Sequence, residues 1–331
     1  MKIIFTLLVV AGAAAAQIPQ VRDINVYGQG KLPVERILTA AKVQAGQPLP
    51  ASKGDIEDRV MQIPGVVEAR VEAVCCEGPS IVLFVGIEQR EGPHVALRSE
   101  PNGDKSLPAG IVEGYRDYLK AVEGGGRGEK GGPYRLLLPG VGPAELEQEL
   151  MPLTDQHLAE IRDVLRNSAE TPERAIAATV ISYSSKPPTV IDDLQYALQD
   201  PDEAVRGNAI RSLNRLALLG ARNWKLGIRI SPTWLIELLN SLTLSDRLLA
   251  TSALLTLTDS RDRNILDQIR DRGLPALVEM ARWDTLNYAL PPFLLVGRIA
   301  GLKDEEIESR WSKGERQPVI DQALNSVPKR R

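Results

Sequence analysis

Residues 200–219, DPDEAVRGNAIRSLNRLALL, constrain the fold more than any other part of the chain. Asp200 is placed to accept the N–H groups left unpaired in a first helical turn. Pro201 costs nothing at a first helical position, and Glu203 stands where a reciprocal cap would. Val205, Ala209, Leu213, Leu216 and Ala217 then recur on one helical face. A preceding helix is expected over residues 189–199, with Ile191, Leu194 and Leu198 on its own apolar stripe. Two such helices carry more apolar surface than they can bury between them, so the hairpin must stack on neighbours.

The neighbours are legible. From residue 145 onward nearly everything has helical period. Leu158, Ile161 and Leu165 form one stripe; Thr171-Pro172-Glu173 is read as the cap of a helix carrying Ile176, Val180 and Tyr183. Ser231-Pro232 opens another, whose Trp234, Leu235, Leu238, Leu239 and Leu242 face Leu248, Leu249, Ala253 and Leu254. A last pair sets Leu274, Leu277, Val278 and Ala281 against Phe293, Leu294, Val296 and Ile299, with Pro291-Pro292 marking the start of its second helix. Unequal spacings of this kind fit a degenerate solenoid over residues 145–327. The string LQDPDEAVRGNAIRSL resembles a HEAT repeat, the type also found in phycobilin lyase-like proteins. That resemblance implies structural ladder contacts between successive repeats through Asp200 and Arg206. It also implies a concave surface for protein binding, on which Arg211, Asn214 and Arg215 are the exposed candidates.

The N-terminus has the pattern of an export signal. Lys2 supplies the positive start, residues 3–10 the apolar core, and Ala14-Ala15-Ala16 an A-x-A cleavage site, so residues 1–16 are expected to be removed. The expected destination is the periplasm or the extracellular medium. No later run reaches the roughly 18 apolar residues of a spanning helix, leaving at most peripheral association with a membrane assembly. A net charge of −3 gives neither a nucleic-acid footprint nor an anionic-membrane patch. The basic end, residues 328–331, reads as a solvated tail.

Residues 17–91 change period several times. Residues 21–27 alternate as a strand and end at Gly28-Gln29-Gly30. Two short helices follow, carrying Val34, Ile37, Leu38 and Ala41, then Ile56, Val60 and Ile63. On the next strand Val67, Ala69, Val71 and Ala73 alternate with Glu68, Arg70 and Glu72, and residues 81–87 form a last strand apolar on both faces, hence central. The order is β-α-α-β-β. With V-x-x-I-x-V-x-G, G-Q-P-L, DIEDRVMQIPGVVEARVE and IVLFVGIEQRE, this segment resembles a POTRA domain of outer-membrane assembly factors and two-partner secretion transporters, related to a module of a bacterial division protein. The resemblance implies a three-stranded sheet under two helices, with the second strand at an edge able to add a client strand through Val67, Ala69, Arg70 and Val71. Because this segment is single and no β-barrel is expected after it, direct membrane insertion is not expected of the chain; a ferredoxin-like α+β domain with no client is the alternative.

Residues 92–144 read as a connection: a short strand over 93–98, a helix over 109–122 with Ile111, Val112, Tyr115, Leu119 and Val122 in period, then the tether GGGRGEKGG. The two cysteines, Cys75 and Cys76, are adjacent. Their Cα atoms lie about 3.8 Å apart, which strains a bond between them. Two unbridged thiols, a strained vicinal pair and intermolecular bridges all remain open, and both residues are redox candidates. Catalytic patterns are missing. The chain has two histidines, His94 and His157, no G-x-S-x-G and no H-E-x-x-H; Asp192-Asp193 and Glu305-Glu306 sit on charged helical turns. The expectation is therefore an α+β domain followed by an all-α HEAT-like solenoid, working as a non-enzymatic protein-binding scaffold without cofactor or metal. A HEAT-like lyase or chaperone-like factor with a hidden pocket is the alternative.

Overall fold

The computed structural model describes residues 18–74, 80–123 and 144–326. The N-terminal part contains β1 (Gln20–Tyr27), α1 (Val34–Ala41), α2 (Gly54–Met61), β2 (Val66–Val74) and β3 (Ser80–Gln89), the order expected from the changes of period. The sheet order is β1-β3-β2, with β3 parallel to β1 and antiparallel to β2. The central position of β3 follows from its composition. Ile81, Leu83, Val85 and Ile87 point to one face, where they bury Ile37, Ala41, Ile56 and Val60 of the two helices. Val82 and Phe84 point to the other, and there they join Tyr27 in a second core built from the C-terminal helices. A strand apolar on both faces needs cover on both. The sheet is thus the middle layer of three.

Residues 93–98 form no strand, contrary to expectation. The end of the segment is held by the helical array rather than by a sheet edge: Arg98 N–H donates to the Gln199 carbonyl at 2.8 Å. Further along, Gly103 N–H donates to the Asn167 carbonyl and Ala169 N–H to Gly103, both at 2.8 Å, so residues 93–108 strap the array. The helix α3 (Ala109–Glu123) appears where the period placed it. It lies on the array, with Ile111 buried and Tyr118 edge-on to Tyr183 at 6.1 Å between centroids. The glycine-rich tether of residues 124–132 lies outside the described residues.

The array runs through α4 (Ala144–Gln156), α5 (Leu158–Asn167), α6 (Thr171–Val180), α7 (Ile191–Ala197), α8 (Glu203–Arg222), α9 (Thr233–Leu238), α10 (Leu244–Leu257), α11 (Arg263–Ala281), α12 (Leu286–Ile299), α13 (Asp304–Ser312) and α14 (Arg316–Asn325). Three local readings need correction. Asp202, not Asp200, caps α8, its carboxylate accepting from Ala204 and Val205; Pro201 precedes the helix. Asp200 has left the cap position for an ion pair with Arg174. Glu170 rather than Thr171 is the N-cap of α6, and it makes no side-chain cap bond. Pro291 and Pro292 lie inside α12, not at its start, and that helix is not the last. The two prolines remove two ladder donors, and burial of Phe293, Leu295 and Val296 holds the helix through them.

The helix α10 explains the overall layering. It is buried nearly all round, including Asp246, Arg247, Thr251 and Ser252, because α8 and α12 flank it while the sheet packs across its N-terminal end. A helix buried on nearly every side sits in the middle of a core, and its charged side chains are there met by partners such as Arg206 and Glu279.

Candidate interaction surfaces

A ladder of buried arginines runs through the array. Arg174 of α6 donates through Nε and Nη2 to the Asp200 carboxylate at 3.0 and 3.1 Å, with both side chains 1% exposed. Arg206 of α8 pairs with Asp246 of α10 at 2.7 Å, and Arg247 of α10 with Glu279 of α11 at 3.3 Å. Asp200 and Arg206 are both rungs, but their side chains do not pair with each other: the Asp200 carboxylate faces the preceding repeat and the Arg206 guanidinium the Asp246 carboxylate of the following one. Each arginine also reaches back six residues along its own chain. Arg174 donates to the Ser168 carbonyl at 3.0 Å, Arg206 to Asp200 at 2.9 Å and Arg247 to Ser241 at 2.5 Å. These bonds satisfy carbonyls at the helix–helix turns and spread each buried charge over several acceptors. The signal lies in the sequence as an arginine six residues after each of Ser168, Asp200 and Ser241.

The last rung ends on the sheet domain. The Glu279 carboxylate accepts Gly28 N–H at 2.8 Å and Gln29 N–H at 3.1 Å, so a backbone nest in the loop after β1 closes the ladder. Gly28 and Gly30 have φ values of 76° and 51°, which glycine allows without strain. Burial pushes the Glu279 carboxyl above its usual range despite Arg247 and the backbone donors. Around this point Tyr27 donates to the Leu242 carbonyl at 2.8 Å and Trp283 Nε1–H to the Val26 carbonyl at 3.0 Å. Asn25 is buried and engaged on both sides of its amide, donating to Thr285 Oγ1 at 2.8 Å and accepting Asp284 N–H at 3.1 Å. Tyr27 lies so close over Gly86 that an added Cβ would fall 2.4 Å from its ring. A cavity of about 450 Å³ remains between the two parts, lined among others by Gln29, Gln89, Arg247, Glu279 and Asp284.

The predicted edge-strand residues divide sharply. β2 is indeed an edge, and Val67 is 44% exposed. Ala69 and Val71, however, point into the core under α1 and α2. Arg70 faces the array, with Nη2 2.7 Å from Glu203 and Nε 3.1 Å from Glu72; Glu72 in turn accepts Leu244 N–H at 3.0 Å. So Ala69, Arg70 and Val71 are structural on their side chains, and what β2 offers outward is backbone plus Val67. One outward donor is already occupied, since Val71 N–H donates to Glu57 Oε1 at 2.6 Å.

The predicted repeat-surface residues are less exposed than expected, because α3 and the packing of α8 against α6 cover them. Asn214 is buried, while Arg211 and Arg215 are half-buried. Arg211 donates to Asn208 Oδ1 at 3.2 Å; Arg215 donates to the Ser182 carbonyl at 2.9 Å and lies 4.1 Å over the Tyr183 ring. Cys75 and Cys76 lie outside the described residues. His94 pairs with Glu88 at 2.7 Å and His157 approaches Glu160 at 3.5 Å. Asp193 is buried by two arginines, Arg162 at 2.8 Å and Arg166 at 2.7 Å, while Glu305 and Glu306 lie in the first turn of α13. Among the described residues no group of three or more His, Cys, Asp or Glu side chains is placed to hold a metal ion, and no helix is long and apolar enough to cross a membrane.

A family model of HEAT repeats matches residues 158–254. The match runs from α5 into α10 and contains the Arg174–Asp200 and Arg206–Asp246 rungs, so the ladder belongs to the matched repeats. The Arg247–Glu279 rung extends the same pattern past their end. No characterised protein sequence matches the chain.

Proposed function

We propose that this chain is an exported, non-enzymatic scaffold of the cell envelope that binds protein partners through the outer edge of β2 and through the surface of its helical array. HEAT repeats typically mediate protein interactions, and the matched repeats carry that part of the reading. The leader-like residues 1–16 and the POTRA-like pattern of residues 17–91 support export and an envelope role. The observation that carries the proposal is the Arg247–Glu279–Gly28 junction, which seats the sheet on the array. Two partner-binding surfaces held in a set geometry do not spend ordering entropy on binding, whereas two surfaces on a loose tether would.

The observation favouring a lyase-like or chaperone-like activity is the 450 Å³ cavity between sheet and array. Its buried carboxylate, Glu279, is already held by Arg247 and two backbone donors, which leaves little capacity for acid–base work.

The test places a photo-crosslinking residue at position 67 of the full chain in intact cells, followed by fractionation and mass spectrometry. The expected result is a processed chain outside the cytoplasm, crosslinked from position 67 to a defined protein. An unprocessed cytosolic chain, or position 67 yielding nothing above a control position on α14, overturns the proposal.

A further inference from the structure

From Ala204 to Ile236 the chain carries six cations and no carboxylate, although the whole protein has a net charge of −3. Arg206 is spent in the ladder. The others follow one route. Arg211, Arg215, Leu218 and Arg222 recur at i, i+4, i+7 and i+11, which sets them on one face of α8 over about 16 Å. Arg211 Nε is buried without a partner on this face, and burial holds its guanidinium below the usual range. On the adjoining face Asn214, 5% exposed, leaves its Oδ1 unpaired.

Beyond α8 the chain builds a firm tip. Asn223 Oδ1 accepts Lys225 N–H at 3.2 Å, and Gly227 closes the turn Trp224–Leu226 with φ 66°. Ile228 and Ile230 pack back against the core, and Ile228 stands where a Cβ on Gly220 would meet it at 3.1 Å. Held by this turn, Trp224 is 81% exposed. Arg222, Lys225 and Arg229, its near neighbours in sequence, are exposed and make no ion pair among the described residues. An ordered turn that keeps an indole in water, with exposed cations close to it in sequence on both sides, has the composition of an interface anchor.

We propose that this face of α8 and the Trp224 turn form a docking site for an acidic segment of a partner protein, whose carboxylates pair with Arg211, Arg222 and Lys225 while an apolar pocket receives Trp224. The site rests on the scaffold reading above and supplies the chemistry of its partner. Charge complementarity selects an acidic occupant. The half-buried position of Arg211 selects a peptide over a membrane, because a flat anionic bilayer reaches the exposed cations of the turn but not a guanidinium recessed among its neighbours.

Fluorescence anisotropy with the full mature chain tests this, using a labelled sixteen-residue peptide of glutamate and leucine at helical spacing and its glutamine counterpart. The acidic peptide is expected to bind at least tenfold more tightly than the glutamine one, with affinity falling as salt rises. Arg222→Glu combined with Lys225→Glu should abolish binding. Trp224→Ala should weaken it about tenfold without changing its salt dependence; circular dichroism checks that these exposed-site variants stay folded. Equal binding of both peptides, binding of neither, or indifference to the charge reversal overturns the proposal. So does tighter uptake by phosphatidylglycerol vesicles than by peptide. If crosslinking from position 67 persists after such a failure, the scaffold reading stands and only this site falls.

Discussion

Arg247 Nη1 stands 3.3 Å from Glu279 Oε2, and that same oxygen accepts Gly28 N–H at 2.8 Å. One carboxylate therefore ends the arginine ladder of the repeats and holds the first loop of the sheet domain, 251 residues away in sequence. Both side chains are nearly buried, at 3% and 12% exposure. Glu279→Ala leaves a buried guanidinium and two backbone donors without their anion. It should cost about 3–5 kcal/mol, read as a shift in the urea midpoint. Limited proteolysis should then cut between sheet and array before either unfolds.

The same carboxyl predicts a pH dependence. Burial raises its folded value above the ordinary one of about 4.3. A raised acid holds its proton longer in the folded state than in the unfolded one, so its contribution is most favourable below the unfolded pKa. That contribution is lost as pH rises through the folded value. Asp246, raised by burial as well, acts in the same sense. Urea titrations at a series of pH values should show a smaller loss of stability with rising pH in Glu279→Gln than in the parent chain. An unchanged slope would show that Glu279 is not shifted.

Gly86 and Tyr27 set a steric test of the docking. A Cβ at position 86 would lie 2.4–2.6 Å from the Tyr27 ring and hydroxyl, which the sheet cannot yield because the ring is pinned to the Leu242 carbonyl. Gly86→Ala should destabilise by about 1–3 kcal/mol, as overpacking does. Hydrogen exchange should locate the loosening at β1 and the start of α10, leaving α13 and α14 protected.

Within the ladder, Arg206→Met strands Asp246, which is fully buried and then keeps only the Ser241 hydroxyl at 2.7 Å. A loss of about 3–5 kcal/mol is expected. Adding Asp246→Leu should recover much of it, since two apolar groups of similar volume leave no uncompensated charge. A double-mutant cycle measures this directly.

Trp224 supplies the contrast. Its exposure means that Trp224→Ala should change stability by no more than about 0.5 kcal/mol. A larger loss in the urea midpoint would mean that the indole is structural.

Much of the element order was open to reading. The central place of β3, the helix over residues 109–123 and the stacked hairpins around Asp200 all follow from periodicity, because a period reports which face of an element is buried. Caps and prolines were read less well. Asp200 looks like a cap in isolation, yet its carboxylate binds Arg174 in the repeat before it and Asp202 caps in its place. Pro291 and Pro292 resemble a helix start, but packing of the neighbouring residues carries α12 through them. Of the site, Val67 proved exposed, whereas Ala69, Arg70, Val71 and Asn214 are committed to packing or pairing.

What the amino-acid order determined by itself is the kind of each element, the side it must hide, and the need of each helical hairpin for neighbours. Period and composition act over a few residues, so they decide these locally. Which hidden surfaces cover one another was settled only in three dimensions. The sheet's second face met the array because Phe84 and Tyr27 fit against Trp283, and because Glu279 found a cluster of backbone donors at Gly28 and Gln29. Contacts between residues so far apart depend on the shape and charge of two finished surfaces, and no local pattern encodes that match.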